Sequence, residues 1–136
     1  MFLCDRTDRA VPVSWGSKKA KRVARSTLTA ETFAAVEGLD SAIVVKQVME
    51  EVLGRRLPPI EIYVDNKSLY DAAKTTNTLS QKSLRVDMAS LRQMLDRNEI
   101  KMFWIPTEEQ IADVLTKQGV NRDKLRGVLR RGSLAK

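Results

Sequence analysis

Leu28, Ala35, Leu39, Ala42, Ile43, Met49 and Leu53 recur on one side of a 3.6-residue period, which predicts one long amphipathic helix that Gly54 closes. Ser26 and Thr27, just before it, carry hydroxyls able to accept from the first free amides of that helix. Pro58 and Pro59 then forbid further helix, and residues 60–64, Ile-Glu-Ile-Tyr-Val, form a β-prone run that ends at Asp65. A long helix leading into a strand in this way calls for helix packed on sheet, an α/β arrangement.

The flanking segments extend this pattern. Residues 1–4 and 11–15 are apolar and β-prone, and the polar residues 5–9 between them suit the loop of a hairpin. Residues 66–74 read as a short helix and 75–78 as a loop. Ser80 is placed to cap a further helix whose Leu84, Met88, Leu91 and Leu95 fall at i, i+4, i+7 and i+11. Residues 100–105 form another strand, stopped by Pro106. Thr107-Glu108-Glu109-Gln110 matches a capping box, which puts Asp113 on the helix that follows. From Asn121 the chain is rich in Arg and Lys, with Leu125, Val128 and Leu129 offering a weak final helix. A hairpin combined with strand-helix-strand crossovers predicts a mixed sheet flanked by helices.

A chain of 136 residues suits one domain and needs no staples to bury a core. The single cysteine, Cys4, excludes an internal disulfide; the absence of histidine excludes Ser-His-Asp and Cys-His catalysis and makes zinc chemistry untenable. The amino end is too short and too charged for a signal peptide, and no stretch approaches a membrane span. The expectation is an intracellular protein, cytoplasmic or nuclear and not secreted, with no membrane partner and no small-molecule cofactor. A net charge of +7 favours polyanions, nucleic acid first among them.

Three carboxylates, Glu31, Asp65 and Asp113, each sit where a strand or loop hands over to a helix. Brought together, such acids can hold the two Mg²⁺ ions, roughly 3.5–4 Å apart, that hydrolyse a phosphodiester bond without histidine. Each also has a plainer reading: Asp65 as a helix cap, Glu31 as an acid near a helix N-terminus, Asp113 as a solvated helix position.

Four segments resolve the ambiguity by resemblance. Pro12-Val13-Ser14-Trp15-Gly16-Ser17-Lys18-Lys19, Ser26-Thr27-Leu28-Thr29-Ala30-Glu31, Val64-Asp65-Asn66-Lys67-Ser68-Leu69 and Ala112-Asp113-Val114-Leu115-Thr116-Lys117 resemble, in order, the ribonuclease H region of copia-type retrotransposon polyproteins. The resemblance covers residues 1–120 and leaves 121–136 as a basic tail. It implies a ribonuclease H-like fold that cleaves the RNA strand of RNA–DNA hybrids, using Mg²⁺ or Mn²⁺ as two ions and joined to a reverse transcriptase in the same polyprotein. Glu31, Asp65 and Asp113 match three of the catalytic, metal-holding acids, and Asn66 and Ser68 match polar positions beside the hybrid.

The family's first acid, on an opening central strand, has no match. Asp5 and Asp8 lie in the expected hairpin loop, away from the other acids. The expectation is therefore a chain truncated at its amino end, with that strand missing and activity in doubt. Its two half-sheets would either close up or leave a slot for another polypeptide. The alternatives are a catalytically silent nucleic-acid-binding module and a retroelement remnant without function. The basic stretch, with Ser17, Lys18, Lys19, Lys21, Arg22, Arg25 and Ser26, reads as a phosphate-contacting surface, a solvated connection or a nuclear localisation patch. Trp15 and Trp104 sit in predicted strands and are expected in the core.

Overall fold

The computed structural model describes residues 1–5, 7, 9–16, 23–75, 82–115 and 122–133. In chain order the elements are β1 (Phe2–Cys4), β2 (Ala10–Pro12), α1 (Thr27–Leu53), β3 (Ile60–Val64), α2 (Lys67–Lys74), α3 (Lys82–Asp96) and β4 (Ile100–Trp104). Two short 3-10 turns, Thr107–Glu109 and Ile111–Leu115, precede α4 (Asp123–Arg131). By their contacts the residues fall into two compact units, Ala20–Pro106 and Met1–Lys19 with Thr107–Lys136.

In the larger unit β3 and β4 are parallel, from Ile60 opposite Ile100 to Val64 opposite Trp104. The Ile60 amide donates to the Glu99 carbonyl at 3.1 Å and the Ile105 amide to the Val64 carbonyl at 2.9 Å, carrying the pairing one step past each end. Parallel strands need a long crossover, and α2 and α3 supply it. The core gathers Ala35 and Leu39 of α1, Val64 of β3, Leu69 and Ala73 of α2, Met88 and Leu91 of α3, and Ile100 and Met102 of β4.

Capping sets the borders. Ser26 accepts from the Thr29 amide at 3.2 Å to start α1, and Gly54, at φ 62°, ends it in the left-handed conformation. At the end of α3 the Asn98 amide reaches the Leu95 carbonyl and the Glu99 amide the Met94 carbonyl, with Asn98 at φ 55°. This is a Schellman stop in which asparagine replaces glycine. The Arg92 guanidinium donates to the Ala72 carbonyl through Nε at 3.2 Å and Nη2 at 2.8 Å, satisfying an end carbonyl of α2 and tying it to α3.

The long helix buries a different set from the one its period suggests. Its amino half carries the packing, with Phe33, Thr29 and Thr32 buried beside Ala35 and Leu39. The two threonines are admissible because Thr32 Oγ1 donates to the Leu28 carbonyl at 2.7 Å and Thr29 Oγ1 pairs with Ser26 Oγ at 2.8 Å. Leu28, Ala42, Ile43 and Met49 are half-buried, and Leu53 is exposed. In α3 the expected stripe holds: Leu84, Met88 and Leu91 are buried and Leu95 is half-buried. Ser80 and residues 76–78 lie outside the described residues.

In the other unit β1 and β2 form an antiparallel pair, with Phe2 opposite Pro12, Leu3 opposite Val11 and Cys4 opposite Ala10. The second strand starts one residue earlier than expected and stops at Pro12, although the Val13 amide still donates to the Met1 carbonyl at 3.1 Å. Asp5 organises the connection. Its carboxylate accepts from the Thr7 amide at 2.8 Å, the Thr7 hydroxyl at 2.7 Å and the Arg9 amide at 3.0 Å, and pairs with Arg9 Nε at 2.9 Å. These bonds, led by those from Thr7, hold the carboxyl well below the usual carboxylate range.

The segment expected as a basic tail carries α4, which packs on β2. Val128 and Ala10 are buried, and the Ala10 amide donates to the Gly132 carbonyl at 2.6 Å. Gly132, at φ 63°, makes that approach as the left-handed cap of α4.

Among the described residues the fold is thus mixed α/β, with antiparallel and parallel pairing held in two two-stranded sheets, and is compatible with a ribonuclease H-like architecture. Among the described residues no helix is long and apolar enough to cross a membrane.

Candidate functional site

Asp65 follows Val64 directly, at the carboxyl end of the parallel pair, and is half-buried. That end is where open parallel sheets present ligand-binding residues, because the strands stop there and helices begin. The site's backbone is fixed from two sides. The Trp104 indole N–H donates to the Asp65 carbonyl at 3.1 Å, and Asn66 Oδ1 accepts from the Leu69 amide at 3.0 Å to cap α2. The cap of α2 is therefore Asn66 and not Asp65, which leaves the Asp65 carboxylate without a hydrogen bond or ion pair among the described residues.

A cation stands beside this corner: the Lys67 ammonium lies 5.8 Å from the centre of the Trp104 ring. Ser68 is exposed in the first turn of α2. Asn66 and Ser26, both expected to touch nucleic acid, have an oxygen committed to capping.

Glu31 is half-buried in the second turn of α1, whose start is pinned by Ser26, Thr29 and Thr32. Arg25, just before the cap, is exposed. Ser17, Lys18, Lys19, Lys21 and Arg22 lie outside the described residues, as does Asp8. Asp113 belongs to the other unit and is half-buried. Its amide donates to the Gln110 carbonyl at 3.3 Å within the second 3-10 turn, so the expected α-helix is a tighter 3-10 turn over the described residues. The Gln110 amide likewise bonds the Thr107 carbonyl at 3.1 Å, closing a turn at the motif read as a capping box.

Carboxylates are the right donors for Mg²⁺ or Mn²⁺. Among the described residues, however, no three Asp, Glu or Cys side chains form a group that could hold a metal ion.

Two features escaped the sequence reading. Trp104 is 43% exposed and Trp15 71%, so neither is a core residue. Trp104 instead braces Asp65; the signal was its place at the end of a strand paired in parallel with the one ending before Asp65. Tyr63 and Phe103, adjacent across the same pair, stack with ring centres 5.2 Å apart and stay partly exposed.

The chain is 36% identical over 106 residues to the retrovirus-related Pol polyprotein from transposon TNT 1-94 of Nicotiana tabacum, covering 77% of the chain and 8% of that protein. It is 32% identical over 109 residues to each of the retrovirus-related Pol polyproteins from transposons RE1 and RE2 of Arabidopsis thaliana, covering 78% of the chain and 7% of each. The chain has homologues among plant retrotransposon Pol polyproteins. It spans less than a tenth of the length of these curated relatives. No protein-family model matches it, and no solved structure does.

Proposed function

We propose that the chain is a retroelement-derived ribonuclease H-like domain whose ligand is an RNA–DNA hybrid. The observation that carries this reading is the half-buried Asp65, unengaged among the described residues and braced by Trp104 at the carboxyl end of a parallel pair, in a chain homologous to Pol polyproteins. The hybrid would be gripped through phosphates and 2′-hydroxyls, so its geometry and not its base sequence would be read. In this reading Glu31, Asp65 and Asp113 are the acids that would hold Mg²⁺ or Mn²⁺, and a reverse transcriptase segment of the same polyprotein is the natural partner.

A second reading is a catalytically silent nucleic-acid-binding module, which the net charge of +7 favours. Incubating the purified chain with a hybrid labelled on its RNA strand, in Mg²⁺ and in Mn²⁺, separates the two. Cleavage that disappears in Asp65→Asn supports the nuclease, and hybrid binding in EDTA without cleavage supports the silent module. Equal affinity for the hybrid and for duplex DNA of the same sequence, without cleavage, sinks the first reading, and no binding to either duplex sinks both.

A further inference from the structure

The helix α4 carries charge that its own folding does not call for. Val128 is buried on its inner side and the Gly132 carbonyl accepts from the Ala10 amide, so that side is held to β2. On the far side Arg122, Arg126 and Arg130 stand four residues apart, all exposed. Four residues of helix rise about 6 Å, so the three side chains depart at steps close to the separation of successive phosphates along a nucleic-acid strand.

The helix itself explains only part of this row. Arg130, like Arg131, stands in the last turn, where a cation suits the carbonyl end of the helix. Arg122 stands at the opposite end as the N-cap, makes no capping hydrogen bond from its side chain, and sets a cation against the positive end. Arg126 has Asp123 at 4.0 Å, an exposed pair that is weak and readily exchanged. Arg122 and Arg130 have no ion pair among the described residues. A residue that opposes its own helix is one kept for something outside it.

Arginine is the cation whose planar fork matches phosphate oxygens. A membrane surface is a poorer match: the apolar side of α4 is taken up by β2, and among the described residues Leu129 is its only exposed large apolar side chain. We infer, on the reading of the chain as a nucleic-acid binder, that α4 grips one strand of the ligand through successive phosphates taken by Arg122, Arg126 and Arg130. Such contacts ignore base and sugar, so α4 adds equally to the affinity for a hybrid and for duplex DNA. Preference between the two belongs to other residues.

The test measures binding of the full chain to a labelled hybrid and to duplex DNA of the same sequence by fluorescence anisotropy, in EDTA across a range of salt. Arg122→Gln with Arg126→Gln and Arg130→Gln should weaken both about ten-fold or more and lower the slope of log affinity against log salt by roughly two to three. Arg55→Gln with Arg56→Gln and Arg97→Gln removes equal charge from exposed positions elsewhere and should leave the slope nearly unchanged. Arg122→Asp separates grip from folding: an acid suits that end of the helix, so the melting temperature should hold or rise while affinity falls about three-fold or more. Should the triple variant misfold, Arg122→Asp still decides. Equal losses in the two triple variants, or undiminished affinity in Arg122→Asp, would overturn the inference while leaving hybrid binding itself intact. No binding of the unaltered chain to either duplex would overturn it together with the reading beneath it.

Discussion

The Trp104 indole donates its N–H to the backbone carbonyl of Asp65 at 3.1 Å, joining the last residue of β4 to the residue that follows β3. A partly exposed tryptophan thus fixes the position from which a carboxylate leaves the parallel pair. Replacing it with phenylalanine keeps most of the apolar contact and removes the donor. Trp104→Phe should cost about 0.5–1.5 kcal/mol in urea unfolding, at the low end because the bond is exposed. It should also reduce whatever hybrid affinity depends on Asp65; an unchanged affinity would separate the brace from the site.

Asn66→Ala removes the cap of α2, leaving the Leu69 amide unmatched, and should lower stability by about 1 kcal/mol. Asn66→Asp should restore it, since a carboxylate accepts the same bond and suits a helix N-terminus. Paired urea melts of the two variants check this, and equal losses would mean that the amide nitrogen of Asn66 matters more than its oxygen.

Much of this corner was legible in the chain. Two prolines before Ile60 and a polar Asp65-Asn66 after Val64 mark both ends of β3 without reference to any partner. The i, i+4, i+7 stripe of α3 was equally readable because that helix is polar on its other face. The long helix misled because it is apolar nearly all round: periodicity reports where apolar residues point but not which side meets a partner, so Val44, Val48 and Val52 were passed over and Phe33 missed. Trp104 was misplaced for a related reason. Strand propensity and size argue for burial, and only the parallel register shows that its ring ends beside Asp65. At Asp113, capping-box residues opened a 3-10 turn, since a local motif satisfies a few amides without fixing whether the turn that follows is α or 3-10.

Met88 is fully buried between the elements of the larger unit's core. Met88→Ala should destabilise by about 2–5 kcal/mol, the cost of lost transfer energy together with an unfilled cavity. Chemical denaturation gives the number, and a loss below about 1 kcal/mol would show that the core between α3 and β4 collapses freely around the gap.

Asp5 has its carboxyl pKa lowered by the bonds from Thr7 and Arg9. Its folded value lies below its unfolded value, so the stability it contributes is present above the ordinary Asp range near 3.9 and is lost as pH falls through the folded value. The unaltered chain should therefore lose stability more steeply below about pH 4 than Asp5→Asn. Thermal melts across that acid range test it; parallel curves would show that the hairpin turn does not contribute.

The lysines and arginines of the basic stretch, Lys18, Lys19, Lys21 and Arg22, should set the salt dependence of binding. Replacing them with glutamine should lower the slope of log affinity against log salt by up to roughly 0.7–0.9 for each phosphate that they pair with.

The central claim is that the ligand is an RNA–DNA hybrid. Competition between a hybrid and duplex DNA of identical sequence, measured by anisotropy in EDTA at several salt concentrations, tests it most directly. The expected result is tighter binding to the hybrid at every salt concentration, weakened by neutralising the basic stretch. Indistinguishable affinities for the two duplexes would contradict the account.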